Sequence, residues 1–540
     1  MSTQAAPRTA PRGDAGADQR WRTWTRAGAL TAAAAAVYCA FGLIQFRRFL
    51  TTTFDLVIFD QGIRGYAHFS APVSIARGVA DGGSAHFLLL ADHWSPILAV
   101  LAPLYWIHDG PATLIVAQAV LFALAIPPLW AFTRRQLGEG CAYCVSAAYA
   151  LSLPIMAATA VSFHEVAFVP VLTAVMAERF GAGRTVHGTL AAAALLLVKE
   201  DMGLLVAGYG AYLLVSRRRL AGVAFMAGGI AGTWIAIDLL IPAFGGSAHF
   251  YWAYGQFGST LPAAAGSIIT HPLHALRVLV TPGIKVRTMV GLLAPFGFLP
   301  LASPLTLAAV PLVAERMLAS GYPLWWQAKF QYDAFVVMVL CCAAVDGAAR
   351  LQRHWPDRWA LRWPAALLPG DGVPAPFLRR WLRHGGAPWP PATLWAAAVC
   401  AAALACVPSS PLGQLLQPGF YTVSPQMRAA QRAIAHVPAG AEVEAADNLG
   451  PRLSARDTVL LLDGTPRWAP WVVADTRGLY FPFCRPGQQA REIAYQEAHG
   501  YRVVYSGDGY VVLHRPADAR TAQALRDPPP ASRIHTNICY

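Results

Sequence analysis

The stretch GALTAAAAAVYCAFGLIQF, residues 28–46, decides the fold class. It carries no charged residue, and its run of about 19 residues is long enough as a helix to cross the roughly 30 Å hydrocarbon core of a bilayer. The polar segment before it is dotted with Arg8, Arg12, Arg20, Arg22 and Arg26, and no clean small-residue cleavage site follows. It therefore reads as a retained first membrane helix, not a cleaved signal. Working outward, further apolar stretches occupy 95–107, 111–132, 140–160, 165–180, 187–198, 201–216, 220–243, 287–302, 303–318, 333–349 and 391–407. Several are short or broken by proline, which is tolerated at membrane depth only where the backbone is buried in protein or lines a wet cavity. The pattern predicts a mainly α, polytopic transmembrane helical bundle of about ten to thirteen helices.

Composition agrees. The chain has 540 residues, of which 56% are hydrophobic and 13% charged, with a mean hydropathy of +0.41. A soluble protein carries roughly 25% charged residues, and disordered chains are polar and highly charged, so both classes are excluded. The net charge is +13, and all but three of the 42 basic residues are arginine. In a membrane protein arginine gathers in cytoplasmic loops and sets orientation, so nucleic acid is not the expected partner. The N-terminal tail, Arg134-Arg135, Arg179, Arg184, Arg217-Arg218-Arg219 and the 350–390 loop are expected to face the cytoplasm. The 47–94 loop, Phe163-His164-Glu165, Lys199-Glu200-Asp201, the 244–286 loop and everything after 408 then face outside, provided 95–107 is short or re-entrant. Arg47 and Arg48 fall on the outer side, against the rule.

Four regions follow: a disordered cytoplasmic tail 1–26, a transmembrane domain 27–407, an extracytoplasmic α/β domain 408–515 and a flexible end 516–540. In the α/β domain, helices are expected at 425–436 and 488–499 and strands at 441–446, 457–463 and 471–475. A hairpin 501–506/509–514 is expected to turn on Asp508-Gly509. Nine cysteines fit no metal pattern. Cys141 and Cys144 form a CxxC without a second pair and read as core thiols, whereas Cys484 and Cys539 suit a disulfide that spacing alone does not establish.

Candidate chemistry sits where ionisable residues interrupt apolar sequence, because such residues are costly in a membrane and mark function. Asp55 and Asp60 lie in TFDLVIFDQG, residues 53–62, and a five-residue offset on a helix points them roughly 140° apart. Asp92 and His93 precede a Ser-Pro helix start, where backbone N–H groups favour an anion. His164-Glu165 and Lys199-Glu200-Asp201 interrupt two further runs. Aromatic clusters at 250–256 and 325–333 suit an interfacial belt or a sugar-stacking wall, the second carrying Lys329 and Tyr332. The set suits a general base, a phosphate-holding cation and a divalent cation such as Mg or Mn bound by Asp92, His164, Glu165, Glu200 and Asp201. No P-loop, GxSxG, HExxH or dinucleotide fingerprint is present, which excludes the chemistries that need them.

On the stretches Phe54-Asp55…Asp60-Gln61, Asp92-His93-Trp-Ser-Pro96, Phe163-His164-Glu165, Val198-Lys199-Glu200-Asp201-Met-Gly203, His271-Pro272, Gly297-Phe298-Leu-Pro300 and Asp447-Asn448-Leu449, the chain resembles a bacterial family of multipass membrane proteins defined only as a domain of unknown function. It also resembles the GT-C class of lipid-linked-sugar glycosyltransferases, which carry an acidic residue after helix one, a His/Lys-Pro-type start to helix two and a lysine turn between two short apolar helices. The resemblance implies a plasma-membrane enzyme moving a sugar from a polyprenyl-phosphate donor to a cell-envelope glycan or protein acceptor. It implies Asp55 or Asp60 as base, His93 as a phosphate or metal contact and Lys199 as a contact to the donor phosphate; Gln61, Lys329 and Tyr332 are further polar candidates for binding the lipid phosphate, read from the residues themselves. The adjacent Asp-Glu pair usual in that class is absent. Two other readings stay open: a transporter or flippase with His164, Glu165, Lys199, Glu200 and Asp201 as an ion relay, and a non-catalytic membrane scaffold.

Overall fold

A computed structural model of the chain describes residues 14–80, 85–354 and 391–516. Within these, six helices are long and apolar enough to cross a membrane: Thr25–Arg47, Ala112–Leu137, Glu139–Ala160, Arg219–Ala243, Gln331–Arg353 and Pro391–Ser409. A seventh results if the bent pair Leu261–Thr270 and Pro272–Val280, which meet at 102°, is one span. This is fewer than the ten to thirteen helices expected from the twelve apolar stretches, because much of the apolar sequence folds as shorter pieces such as Thr185–Leu195 and Met202–Val215. Residues 95–107 form a 3₁₀ segment, Pro96–Leu101, and one helical turn, Ala102–Tyr105, each with a proline in its first turn. The first helix begins at Asp14, well ahead of the apolar run.

The helices Met202–Val215 and Arg219–Trp234 pack backbone to backbone. A side chain at Gly203 would strike the Gly229 carbonyl, and one at Gly210 would strike the Gly222 carbonyl. Small residues at such contacts let membrane helices gain dispersion contacts where no hydrophobic effect drives association. The helix Ala334–His354 runs through the centre, with Val336, Cys341, Cys342, Ala343, Ala344 and Val345 buried.

The tail forms a five-stranded sheet in the order β2-β1-β3-β5-β4, with β1 Glu442–Ala445, β2 Thr458–Leu461, β3 Trp471–Asp475, β4 Arg502–Gly507 and β5 Tyr510–His514. β1 lies parallel to β2 and β3, pairing Glu442 with Thr458 and Val443 with Trp471. β5 lies antiparallel to β3 and β4, with a bulge between Val503 and Tyr505. Asp508 and Gly509 both adopt positive φ, 52° and 81°, the backbone a tight hairpin requires. Helices Pro425–Ile434 and Gln488–Ala498 complete the domain. Cys484 is disulfide-bonded, while Cys539 and most of the basic 350–390 loop lie outside the described residues.

This sheet sits on the segment after the first helix. Gln61 Nε2 donates to the Val459 carbonyl at 2.9 Å, and Gln61 Oε1 accepts from the Ala76 N–H at 2.9 Å. Ser454 Oγ donates to Asp60. Arg48, unexpected on this face by charge alone, donates to the carbonyls of Gly419, Phe420 and Thr422 at 3.0–3.2 Å. Its charge is thus spent on the strap that leads into the tail.

Candidate active site

Asp55 lies in a π-helical turn, Thr53–Val57, that precedes the helix Ile58–Ala67. Thr52 Oγ1 donates to Asp55 Oδ2 at 3.3 Å, and Thr52 is itself tied to Ser162 Oγ by its N–H at 3.1 Å. The other carboxylate oxygen faces His164 Nε2 at 3.4 Å. His164 Nδ1 donates to the Ser162 carbonyl at 2.7 Å, which aims Nε2 at Asp55. Burial alone would raise the Asp55 pKa, but the charge and hydrogen bond of His164 and the bond from Thr52 outweigh it and hold the carboxyl below its ordinary value. Burial likewise opposes a charged His164, yet Asp55 and then Glu165 push its pKa up. The side chain of Asp55 remains 29% exposed, so this charged carboxylate is reachable.

A second group meets the first through Glu165, whose charge acts on both His164 and Lys199. Lys199 Nζ lies 3.0 Å from Glu200 Oε1 and 3.5 Å from Asp201. Glu200 Oε1 also binds His93 Nδ1 at 2.8 Å, while Glu200 Oε2 accepts the Trp94 N–H at 3.2 Å. Burial works against charge on Glu200, but Lys199 and His93 together hold its carboxyl well below the usual range. Burial would lower Lys199, and Asp201 and Glu200 outweigh it to keep the ammonium charged. Asp201 is pushed up, by burial first and by the charge of Glu200, against the pull of Lys199.

Three contributors escape sequence reasoning. Arg77, on the short helix Ile75–Ala80, forks onto both Asp92 oxygens at 2.8 and 2.7 Å. Tyr251 donates to Asp92 Oδ1 at 2.7 Å and stacks on His93 at 4.8 Å and 9°. Glu315 lies within electrostatic reach of Asp201 and Lys199. Tyr251 belongs to the 250–256 aromatic cluster, and that was its only signal. Glu315 interrupts the apolar stretch 303–318, the same signal that marked the other acids, whereas nothing in the sequence sets Arg77 apart from an ordinary surface residue.

The remaining candidates lie elsewhere. Asp60 is wholly buried, bound by Tyr105 Oη at 2.8 Å, by Ser454, and by Arg64 at 3.1 Å. Burial pushes its carboxyl up to about 6 despite Arg64. It points away from the Asp55 cluster, into the joint with the tail. Gln61 is spent on the same joint. Lys329 is exposed over the Phe330 ring at 5.4 Å, and Tyr332 lies beneath Arg316 at 5.7 Å. For a metal the donor set does not fit. Asp92 is engaged by Arg77, Glu200 by Lys199 and His93, and Asp55 by His164. Among the described residues no group of three or more His, Cys, Asp or Glu is placed to hold an ion.

Solved structures with this architecture exist. The chain aligns with ArnT from Cupriavidus metallidurans bound to undecaprenyl phosphate at a TM-score of 0.52 and 13% identity, covering 91% of this chain and 98% of that one. The same protein in the apo state gives 0.44 and 11%, covering 89% and 99%. An Archaeoglobus fulgidus oligosaccharyltransferase gives 0.36 and 10%, covering 83% and 69%. At these identities the likeness concerns the fold, which is GT-C-like. No curated protein matches the chain. The family model described as "Predicted membrane protein (DUF2079)" matches residues 45–369, and the chain belongs to that family.

Proposed function

We propose that this chain is an integral membrane glycosyltransferase of GT-C type. It transfers a sugar from a polyprenyl-phosphate donor to a cell-envelope acceptor on the extracytoplasmic face. One observation carries the reading: a charged, partly exposed carboxylate, Asp55, faces the His164 imidazole, and Glu165 joins that pair to a second group holding the charged Lys199 and the His93 imidazole. The fold shared with a protein bound to undecaprenyl phosphate supports it.

In the reaction the acceptor hydroxyl gives its proton to Asp55 as its oxygen bonds to the sugar's anomeric carbon. The bond from that carbon to the phosphate oxygen breaks, and the electron pair leaves with the lipid phosphate. Lys199 and His93 balance the charge that develops there. A lipid phosphate is already a fair leaving group, so positioning and charge stabilisation supply most of the acceleration. Because the acids are cation-paired, the reading routes no step through a metal.

The orientation rests on charge and redox chemistry. Arg135 and Arg179 meet at Glu178, at a helix end away from the Asp55 cluster, and the positive-inside rule assigns that end to the cytoplasm. The disulfide at Cys484 fits an oxidising exterior.

The test replaces Asp55 with Asn in the full chain at matched expression and measures lipid-linked sugars and envelope glycans. Loss of a general base is expected to slow transfer by roughly 10²–10⁴-fold. Glycans indistinguishable from wild type in Asp55→Asn would remove the base and with it the reading.

A further inference from the structure

The turn that carries Asp55 has no cap of its own. Helical turns open with N–H groups that lack partners within the element, and here Thr52 makes no side-chain cap bond to the turn Thr53–Val57. The partners come instead from the far end of the chain. Asp447 accepts the Thr53 N–H on its carbonyl at 2.7 Å and the Thr53 hydroxyl on the same oxygen at 2.8 Å. Its carboxylate Oδ1 accepts the Phe54 N–H at 3.0 Å. Asp55 is the next residue.

The sheet explains why Asp447 stands there. β1 is the middle strand of the parallel trio, with β2 and β3 on opposite sides. The chain therefore reverses its winding at β1, and loops leaving the carboxyl ends of strands at such a switch point build sites in doubly wound folds. Asp447 leaves β1 two residues after Ala445, fixed by the Ala446 N–H bond to the Val473 carbonyl at 2.8 Å. Gly450 follows, and any side chain there would strike Thr53 Oγ1, so the contact is shaped on both sides. Asp447 is 4% exposed, and Phe481 from the loop after β3 packs on Phe54 at 4.8 Å.

We propose that Asp447 is a positioning residue for Asp55: from the tail domain it caps the turn that aims the base, which makes the α/β domain part of the catalytic unit. This inference rests on the glycosyltransferase reading above. Asp447 takes no proton from the acceptor and acts only through the turn.

The experiment uses the full chain in vesicles doped with a panel of synthetic undecaprenyl-phosphate hexoses and pentoses, with envelope extract as acceptor, and reads the release of undecaprenyl phosphate. Misplacing a reacting group by about 1 Å costs up to roughly 10²-fold. Asp447→Ala is therefore expected to lower turnover by about 10–100-fold and to leave half-saturation by the donor within about two-fold. Asp447→Asn keeps an amide oxygen for the Phe54 N–H and is expected to retain most of the turnover. Hydrogen exchange gives the readout that a general loss of stability would not: a peptide spanning 52–57 exchanges faster in Asp447→Ala and not in Asp447→Asn, while the tail strands stay protected. Should Asp447→Ala not fold, Asp447→Glu moves the oxygen by one methylene at constant charge and is expected to lower turnover. Unchanged turnover in the Ala or Glu variant, or equal loss in the Ala and Asn variants, would overturn the proposal. Asp55→Asn is run beside them. If it alone is inactive, only the positioning role fails; if it is fully active, both readings fail.

Discussion

At the scale of single residues, the Asp55–His164 pair sets a pH window. The Asp55 carboxyl sits below its ordinary 3.8 and the His164 imidazole above its ordinary 6.5. The His164 part of the stabilisation is complete below 6.5 and is lost as pH rises through the raised folded value. The Asp55 part is present above 3.8 and is lost as pH falls through the lowered folded value. Asp447, which caps the same turn, has its carboxyl pushed up to about 7 by burial first and by the charge of Asp55, so its part is complete below 3.8 and is lost as pH rises through about 7. Protection of the 52–57 turn is therefore expected to be greatest at mildly acidic pH and to decline from neutral pH upward. Hydrogen exchange against pH checks this, and His164→Gln is expected to flatten the alkaline limb. His164, Glu165, Lys199 and Glu200 were legible in sequence because each interrupts an apolar run, where a charge is too costly to be incidental. The choice between Asp55 and Asp60 was not legible. Both are acids among the same aromatics, and only the distant partners, His164 for one and Tyr105 with Ser454 for the other, separate them.

Elements show a similar division. The tail strands were readable from alternation and from Asp508-Gly509, whose positive φ values are a local property of those residues. The number of membrane crossings was not readable from apolar stretches, because proline divides several of them and hydropathy does not say which pieces stack into one span. The helix Ile58–Ala67 earns its place by joining the two domains through Asp60, Arg64, Tyr105 and Ser454. Asp60→Ala would leave the Tyr105 and Ser454 hydroxyls without their acceptor and Arg64 with Asp109 alone, 2.6 Å from its Nε. A cost of about 2–3 kcal/mol is expected, at the lower edge of what breaking a buried ion pair costs because Arg64 is partly exposed. Limited proteolysis checks it: the tail of Asp60→Ala should be clipped faster from otherwise intact protein. Asp60→Asn keeps an acceptor for Tyr105 and is expected to fall between the two.

Across the whole molecule, the arginine-rich turns at 134–135, 179–184 and 217–219 are expected at the cytoplasmic end and the Asp55 cluster at the other, which makes topology testable. With Cys406 replaced by Ser, Arg491→Cys in the tail is expected to react with a membrane-impermeant maleimide on intact cells. Arg219→Cys is expected to react only after permeabilisation. Reversed labelling would place the Asp55 cluster inside the cell and remove the extracytoplasmic acceptor. The joint between the tail and the Asp55 turn also has a temporal side. Thr53 and Asp447 are 394 residues apart, and ribosomes add about 5–20 residues per second. A newly inserted copy therefore waits roughly 20–80 s for its cap at that pace. Through that interval the turn that carries Asp55 lacks the Asp447 contacts. On the proposed reading, half-made copies, and copies cut within the tail, are expected to be silent toward the lipid-linked sugar pool, with translation of the last domain as the licence for activity.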